Sequence, residues 1–383
     1  MTVTSPQGFR AAGVAAGLKT SGNPDVALVV NDGPDDVAAA VFTTNRFPAA
    51  PVLWSRQVLA AHRLKAVVLN SGGANACTGP EGFADTHTTA EHVAAELGIG
   101  AGEVAVASTG LIGVRLPMDK LLPGVTAAVA KLSADGGTAA AQAIMTTDSV
   151  PKTTVQRGEG WTVGGIAKGA GMLAPSLATM LVVLTTDAVV PPALLQTALA
   201  QATSVSVERV DSDGCLSTND TVIAMANGAS GVTPTVEEVT AALTAAMTDL
   251  AMQLLADAEG STKDIAITVR GAASVADALT AGRACARNNL LKTALFGNDP
   301  NWGRVLAAIG TTDAAFEADQ VDVTINGVTV CRNGAIGDPR EGVDLSGRAI
   351  AIDVDLRAGT EEATIWTNDL SIAYVHENSA YST

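Results

Sequence analysis

KGAGMLAPSLATMLVVLTTD, residues 168–187, joins a loop to a strand in the space of twenty residues. Gly169, Gly171 and Pro175 hold the backbone where other residues resist going, so the first half is a constrained loop. The run Met180 to Leu184 is short, apolar and partly β-branched, and threonines and Asp187 close it. That pattern predicts a strand buried on both faces, which requires helices or a second sheet above and below it. Thr179 sits at the join, where a hydroxyl would be held tightly. Most threonines at strand starts only pack or cap, and on local pattern alone Thr179 does the same.

Working outward, residues 153–167 form a hairpin with its turn at Arg157 to Gly160, feeding the loop. Two further strands run directly into glycine-containing loops. Ala66 to Leu69 leads into Asn70-Ser71-Gly72-Gly73, and Val104 to Ala107 leads into Ser108-Thr109-Gly110. A hydroxyl residue beside a glycine can present an O–H and a backbone N–H together, the pair an oxyanion hole requires, although a plain strand-ending turn has the same spelling. Helices are predicted over 83–97, 118–132, 136–145 and 236–257, with another opened by Pro191 and Pro192. The N-terminus reads as a turn-rich opening, the strand Asp25 to Val30, and a strand, turn and third strand over 38–55. The last 60 residues form a β-rich unit around an Asn326-Gly327 hairpin turn. The predicted fold class is α/β (α+β), a layered sandwich with a smaller C-terminal α+β unit from roughly residue 281.

The chain has 383 residues, 47% hydrophobic but only 3% aromatic, so its core is built from Ala, Val, Leu and Ile. A net charge of -16 argues against nucleic acid and anionic membranes, which select clustered Lys and Arg. No apolar run reaching the ~18–20 residues of a membrane span is read. The first residues lack a secretory pattern, so a cytoplasmic location is expected. Cys77, Cys215, Cys285 and Cys331 are scattered, with no zinc spacing, and are expected to be reduced. No metal and no cofactor is expected. Asp211-x-Asp213-Gly214 falls out of register for a calcium loop.

Scarce groups narrow the chemistry. G-x-S-x-G is absent, and His87 and His92 lie five apart, the wrong spacing for a helical metal pair. A threonine nucleophile needs no histidine if its own α-amino group, with a pKa near ~7.7–8.0, is free to act as base. Freeing it requires cutting the chain just before that threonine. Ala178, being small, leaves the preceding carbonyl open to attack by the Thr179 hydroxyl.

The segments GGIAKGAGMLAPSLATMLVVLTTDA (164–188), VVLNSGGANACTG (67–79), ASTGLIG (107–113), STNDTV (217–222), AEGSTK (258–263), LLKTALFGNDPNWGRVLAAIG (290–310) and YVHENSAYST (374–383) resemble the ornithine acetyltransferase family of arginine biosynthesis, also called glutamate N-acetyltransferase. The resemblance runs in order along nearly the whole chain. It departs at Gly73, where a polar residue such as Asn is expected, and in VDSDGCLSTND (210–220). It implies a sandwich of αββα type, similar in layering to N-terminal nucleophile hydrolases but of distinct topology. It also implies self-cleavage between Ala178 and Thr179, giving an α chain of 1–178 and a β chain of 179–383, with 179–280 completing the sandwich. Thr179 is then the nucleophile, taking acetyl from N-acetylornithine and passing it to glutamate, with Thr109 and Gly110 as the oxyanion hole. Substrate contacts implied are Thr146 (or Thr147 of the same TTD), Lys168, Thr179, Glu259, Asn378 and Thr383. Acetyl-CoA is a further possible donor, and a dimer of αβ units, a heterotetramer, is the expected assembly.

Elementary chemistry agrees with these roles. An anionic protein binding anionic glutamate needs a local cation, and Lys168, with Lys263 beside it, is the candidate; Glu259 suits the amine. Two other readings fit the residues. A self-cleaving aminopeptidase or amidase of similar fold would hand the acyl group to water, and a non-catalytic binding protein would stay uncut.

Overall fold

The computed structural model describes residues 2–174 and 180–380. The chain opens with strands β1 (Phe9–Val14), β2 (Val26–Asn31) and β3 (Val37–Phe42), then helix α1 (Ala50–Leu59), strand β4 (Ala66–Asn70), α2 (Gly79–Leu97) and β5 (Val104–Ser108). Helices α3 (Met118–Ala130) and α4 (Gly137–Ala143) precede the hairpin β6 (Lys152–Arg157) and β7 (Thr162–Lys168). Then come β8 (Leu181–Thr186), α5 (Pro192–Ser204), β9 (Thr221–Ala226) and the long α6 (Val236–Ala256). The C-terminal part comprises β10 (Asp264–Ala272), α7 (Val275–Ala286), α8 (Asn289–Phe296), α9 (Trp302–Ile309), β11 (Asp322–Ile325), β12 (Val328–Arg332), β13 (Ala335–Ile336), β14 (Ala349–Asp355), β15 (Glu361–Asn368) and α10 (Ile372–Ala380).

Two mixed sheets make the sandwich, ordered β1-β2-β4-β5 and β3-β9-β8-β7-β6. Every residue of β2, β4, β5, β7, β8 and β9 is buried, because each strand is covered on both faces. The alternation of side chains assigns the layers. Ala27, Val29 and Val67 of the first sheet meet Leu181, Val183 and Ile223 of the second, with Ala140 and Ala141 of α4 in the same cluster. Val26, Leu28 and Val68 point the other way, onto Val93 of α2 and Val125 of α3. Val182, Leu184 and Val222 point outward onto α5 and α6 through Leu195, Leu199 and Leu250. The result is helix, sheet, sheet, helix.

Three expectations change. Phe9–Val14 is a strand rather than part of a turn-rich opening. Its small residues let α4 lie against it so closely that a Cβ on Gly13 would sit 1.9 Å from the Ala139 carbonyl. Residues 50–55 are the start of a helix that runs to Leu59 rather than the end of a third strand, with Pro51 in the first turn; Trp54 Nε1 donates to Val104 O and Ser55 Oγ to Val106 O, fixing α1 along β5. Among the described residues α6 is long and apolar enough to cross a membrane by length and composition, and Leu243, Met247, Leu250 and Leu254 place it in the sandwich core.

The third sheet, β13-β12-β11-β14-β10-β15, builds the C-terminal unit with its own core around Ile265, Ile267, Ile352 and Ile365. Because β10 pairs with both β14 and β15, this unit starts at Asp264, earlier than the boundary near 281; α7 packs on β10 and β15 through Ala278, Ala281 and Cys285.

Register brings the site together. Lys168 pairs with Leu181 and Leu181 with Thr221, so the end of β7, the start of β8 and Asp220 share one edge of the second sheet. Asn70 pairs with Ser108 at the matching end of the first sheet.

Candidate active site

A cavity of about 400 Å³ opens where these strand ends meet. Thr109, Gly110, Thr146, Thr147, Lys168, Glu259 and Asn378 all line it, gathered from segments up to 269 positions apart (378 − 109). Ala178, Thr179 and Thr383 lie outside the described residues.

The oxyanion candidates are fixed by asparagines. Asn70 donates from its side chain to Gly73 O and accepts from Ser108 Oγ, and its carbonyl accepts the Thr109 N–H. Asn219 donates to Ala74 O at 2.6 Å and to Ser108 O at 2.8 Å, tying the second sheet to both loops of the first. Gly73 N–H then donates to Thr109 O. Gly110 has φ of 132°, a left-handed conformation, and a Cβ there would lie 2.8 Å from Gly73 N. Only glycine fits. Its N–H has no partner among the described residues, whereas that of Thr109 is already used. The donors this pair can offer to the cavity are therefore the Thr109 hydroxyl and the Gly110 N–H.

Lys168 Nζ donates to Thr109 Oγ1 at 3.0 Å. With its lone pair taken up, the Thr109 hydroxyl has its proton available for a third group. Lys168 is buried, and burial pushes its ammonium pKa down, with Lys152 acting the same way and Asp148, Asp220 and Glu259 acting against it. Asp148 organises the cation. Its Oδ1 accepts from Gly169 N and from Lys152 Nζ, both at 2.6 Å, and its Oδ2 accepts from Thr146 N at 2.9 Å. Lys152 also pairs with Asp257 at 2.6 Å. One carboxylate thus holds Thr146 and the end of β7 together. Burial alone would raise the Asp148 pKa, but Lys168 and Lys152 hold it below the usual carboxylate range.

Glu259 reaches the cavity from the turn after α6. Its N–H donates to Ala170 O, and a Cβ on Gly171 would come within 2.6 Å of Glu259 Oε2, so the glycine loop makes room for the carboxylate. Asp369 clamps this turn by accepting from Thr262 N and Lys263 N at 2.9 Å. Ser371 Oγ, donating to Gly260 O at 2.5 Å, then seats α10, which carries Asn378. Lys263 does not join the site. Its ammonium donates to Leu345 O at 2.6 Å and Gly347 O at 2.9 Å inside the C-terminal unit.

Residues 175–179 are flanked by two anchors. Leu173 N donates to Asp213 Oδ2 at 3.1 Å and Leu173 O accepts from Ser212 N at 2.6 Å. The Ser212 carbonyl in turn accepts from Lys292 of the LLKTALF segment, which is how that motif serves the site without lining it. On the other side Asp220 Oδ1 accepts the Met180 N–H at 3.1 Å. Asp220 is wholly buried, and its Oδ2 has no partner among the described residues. Burial pushes its acid well above the ordinary carboxylate range, against the Met180 N–H, Ser217 and Lys168.

A raised folded-state pKa means that the folded chain keeps a proton the unfolded chain has lost. Stability from this group is full below the unfolded value and falls as pH rises through the folded one. Asp220→Asn keeps the acceptor for Met180 and cannot ionise. Its unfolding free energy relative to wild type should climb as pH rises above the usual carboxylate range, by up to about 1.4 kcal/mol per pH unit crossed, and its melting temperature should climb with it. Parallel melting curves from pH 5 to 8 would show otherwise.

Asp148, Lys152 and Asp220 carry no spacing signal of their own, although Asp148 and Asp220 stand inside the TTD and STND stretches. Lys19 also lines the cavity, and no local pattern announces it.

Residues 10–383 match the sequence profile of the ArgJ family. The arginine biosynthesis bifunctional protein ArgJ of Streptomyces avermitilis is 65% identical over 382 residues, covering 100% of each chain. The protein of the same name from Thermobifida fusca is 63% identical over 383 residues, again 100% of each. A crystal structure of ornithine acetyltransferase complexed with ornithine, from Mycobacterium tuberculosis, shares 63% identity at a TM-score of 0.45, over 47% of this chain and 96% of that one. By sequence along essentially its whole length, the chain belongs to the ArgJ family.

Proposed function

We propose that this member of an arginine-biosynthesis acetyltransferase family cuts itself between Ala178 and Thr179 and uses the freed Thr179 to carry acetyl from N2-acetyl-L-ornithine to L-glutamate. The observation that carries the reading is the Lys168–Thr109–Gly110 arrangement in a cavity shared with Thr146, Glu259 and Asn378, one strand end from Asp220 and Met180.

In the self-cutting step the Thr179 Oγ attacks the Ala178 carbonyl carbon. The C–O bond forms, the C–N bond breaks, and the hydroxyl proton ends on the departing nitrogen. Water then hydrolyses the ester, leaving a carboxylate on Ala178 and a free amine and hydroxyl on Thr179. The amine serves as base in transfer. Thr179 Oγ attacks the acetyl carbon, the oxyanion is met by the Thr109 O–H and the Gly110 N–H, and ornithine leaves as the free amine. Glutamate's amine repeats the attack on the acetyl ester. Lys168 supplies positive charge for an α-carboxylate, and Glu259 suits the ammonium of the ornithine side chain.

The test is to supply acetylornithine and glutamate together and ask where the acetyl group goes. N-acetylglutamate formed with parallel double-reciprocal plots supports the reading; free acetate alone would mean that water is the acceptor and favour the amidase. Acetyl-CoA as a second donor belongs to the same proposal, and glutamate acetylation with acetyl-CoA alone checks it.

A further inference from the structure

Lys19 stands on the cavity wall with its neighbours Thr20 and Ser21, on a loop that none of the roles above uses. The loop is built. The buried Asp25 carboxylate accepts from Ala16 N and Leu18 N, each at 2.6 Å, and from Lys19 N at 3.0 Å. The Lys19 ammonium is itself tethered, donating to Pro24 O at 2.8 Å and to Met145 O at 2.6 Å. Met145 immediately precedes Thr146, so this cation is fixed to the segment expected to contact substrate. An ammonium has three donors, and two carbonyls take two of them, which leaves the third for a ligand. Burial pushes the Lys19 pKa down, with Asp25 and Asp148 acting against it. A half-desolvated cation without a full counter-ion gains most from an incoming anion.

Among the described residues the cavity thus holds two cations, Lys168 on the β7 side and Lys19 on the N-terminal loop, and the carboxylate of Glu259. One cation and one carboxylate match an amino acid whose side chain is an amine. An acidic amino acid brings two carboxylates and needs the second cation. We propose that Lys19 is the subsite for the side-chain carboxylate of the acceptor and so selects an acidic amino acid in the second half of the reaction. This rests on the acetyl-transfer reading above.

The test is Lys19→Met, with Lys19→Arg as the charge-keeping control, measured with L-glutamate and its neutral isostere L-glutamine as acceptors. In Lys19→Met the KM for glutamate should rise about 10–100-fold, the range for a hydrogen bond to a charged group. The KM for acetylornithine should move far less, the preference for glutamate over glutamine should collapse, and Lys19→Arg should recover most of it. An equal rise for both substrates, or an intact glutamate preference, overturns the proposal. If wild type transfers no acetyl, the transfer reading itself falls. Calorimetric titration of glutamate and glutamine into wild type and Lys19→Met then judges the subsite alone: loss of glutamate binding in the variant upholds it, and unchanged binding overturns it.

Discussion

Thr179→Ala remains one full-length chain and transfers no acetyl, a loss on the order of 10⁵–10⁶ in kcat, as when a catalytic nucleophile is removed elsewhere. The effect is this large because one hydroxyl is asked to act twice. Without it the Ala178 carbonyl meets no nucleophile, so the α-amine that should serve as base is never released. The fold should not suffer. Anchors on either side, Leu173 with Asp213 and Met180 with Asp220, are made by backbone atoms that the substitution keeps. A denaturing gel and a melting curve together separate this outcome from misfolding: an uncut chain with wild-type melting is expected. Normal transfer by an uncut Thr179→Ala chain would mean that another group carries the acetyl, and a wild type that stays uncut and transfers none would favour the non-catalytic reading.

Lys168→Met should cut kcat by about 10²–10³, the cost of losing one contributor to an oxyanion site, and raise KM for substrates that bring a carboxylate. The ammonium orients the Thr109 hydroxyl at 3.0 Å and supplies buried positive charge. Stability should change little, because Asp148 keeps Lys152 and two backbone N–H donors after Lys168 is gone. The neighbouring lysine behaves the opposite way. Lys152 is fully buried between Asp148 and Asp257, so Lys152→Met strands two carboxylates and should destabilise the chain by about 3–5 kcal/mol. Kinetics and thermal melts on the two variants check the contrast; similar stability losses in both would mean that the four charges act as one unit.

Much of the sandwich was legible because its central strands are apolar runs ending in glycine loops, as at Asn70, Ser108 and Lys168. β1 was not, since Ala11, Ala12 and Gly13 are small for contact with α4, a reason that lies in another segment. The first half of the helix over 50–59 spelled like a strand because the bonds that anchor it, from Trp54 and Ser55, run to β5. The members of the candidate site came from the family resemblance, and the folded chain brings Thr109, Gly110, Thr146, Lys168, Glu259 and Asn378 around one cavity. What supports them was hidden. Asp148, Lys19 and Asp220 act on partners that only the sheet registers bring near, and Lys263, plausible by charge and neighbourhood, faces the other way into its own unit.

An acetyl group carried by Thr179 is the centre of the proposed mechanism. Purified wild type incubated with N-acetylornithine and no glutamate, then measured by intact mass, tests this most directly. The prediction is two pieces, 1–178 and 179–383, with one added acetyl on the second, at its first residue, that disappears when glutamate is supplied. An uncut chain, an acetyl on the first piece, or transfer without any acetylated protein would contradict it.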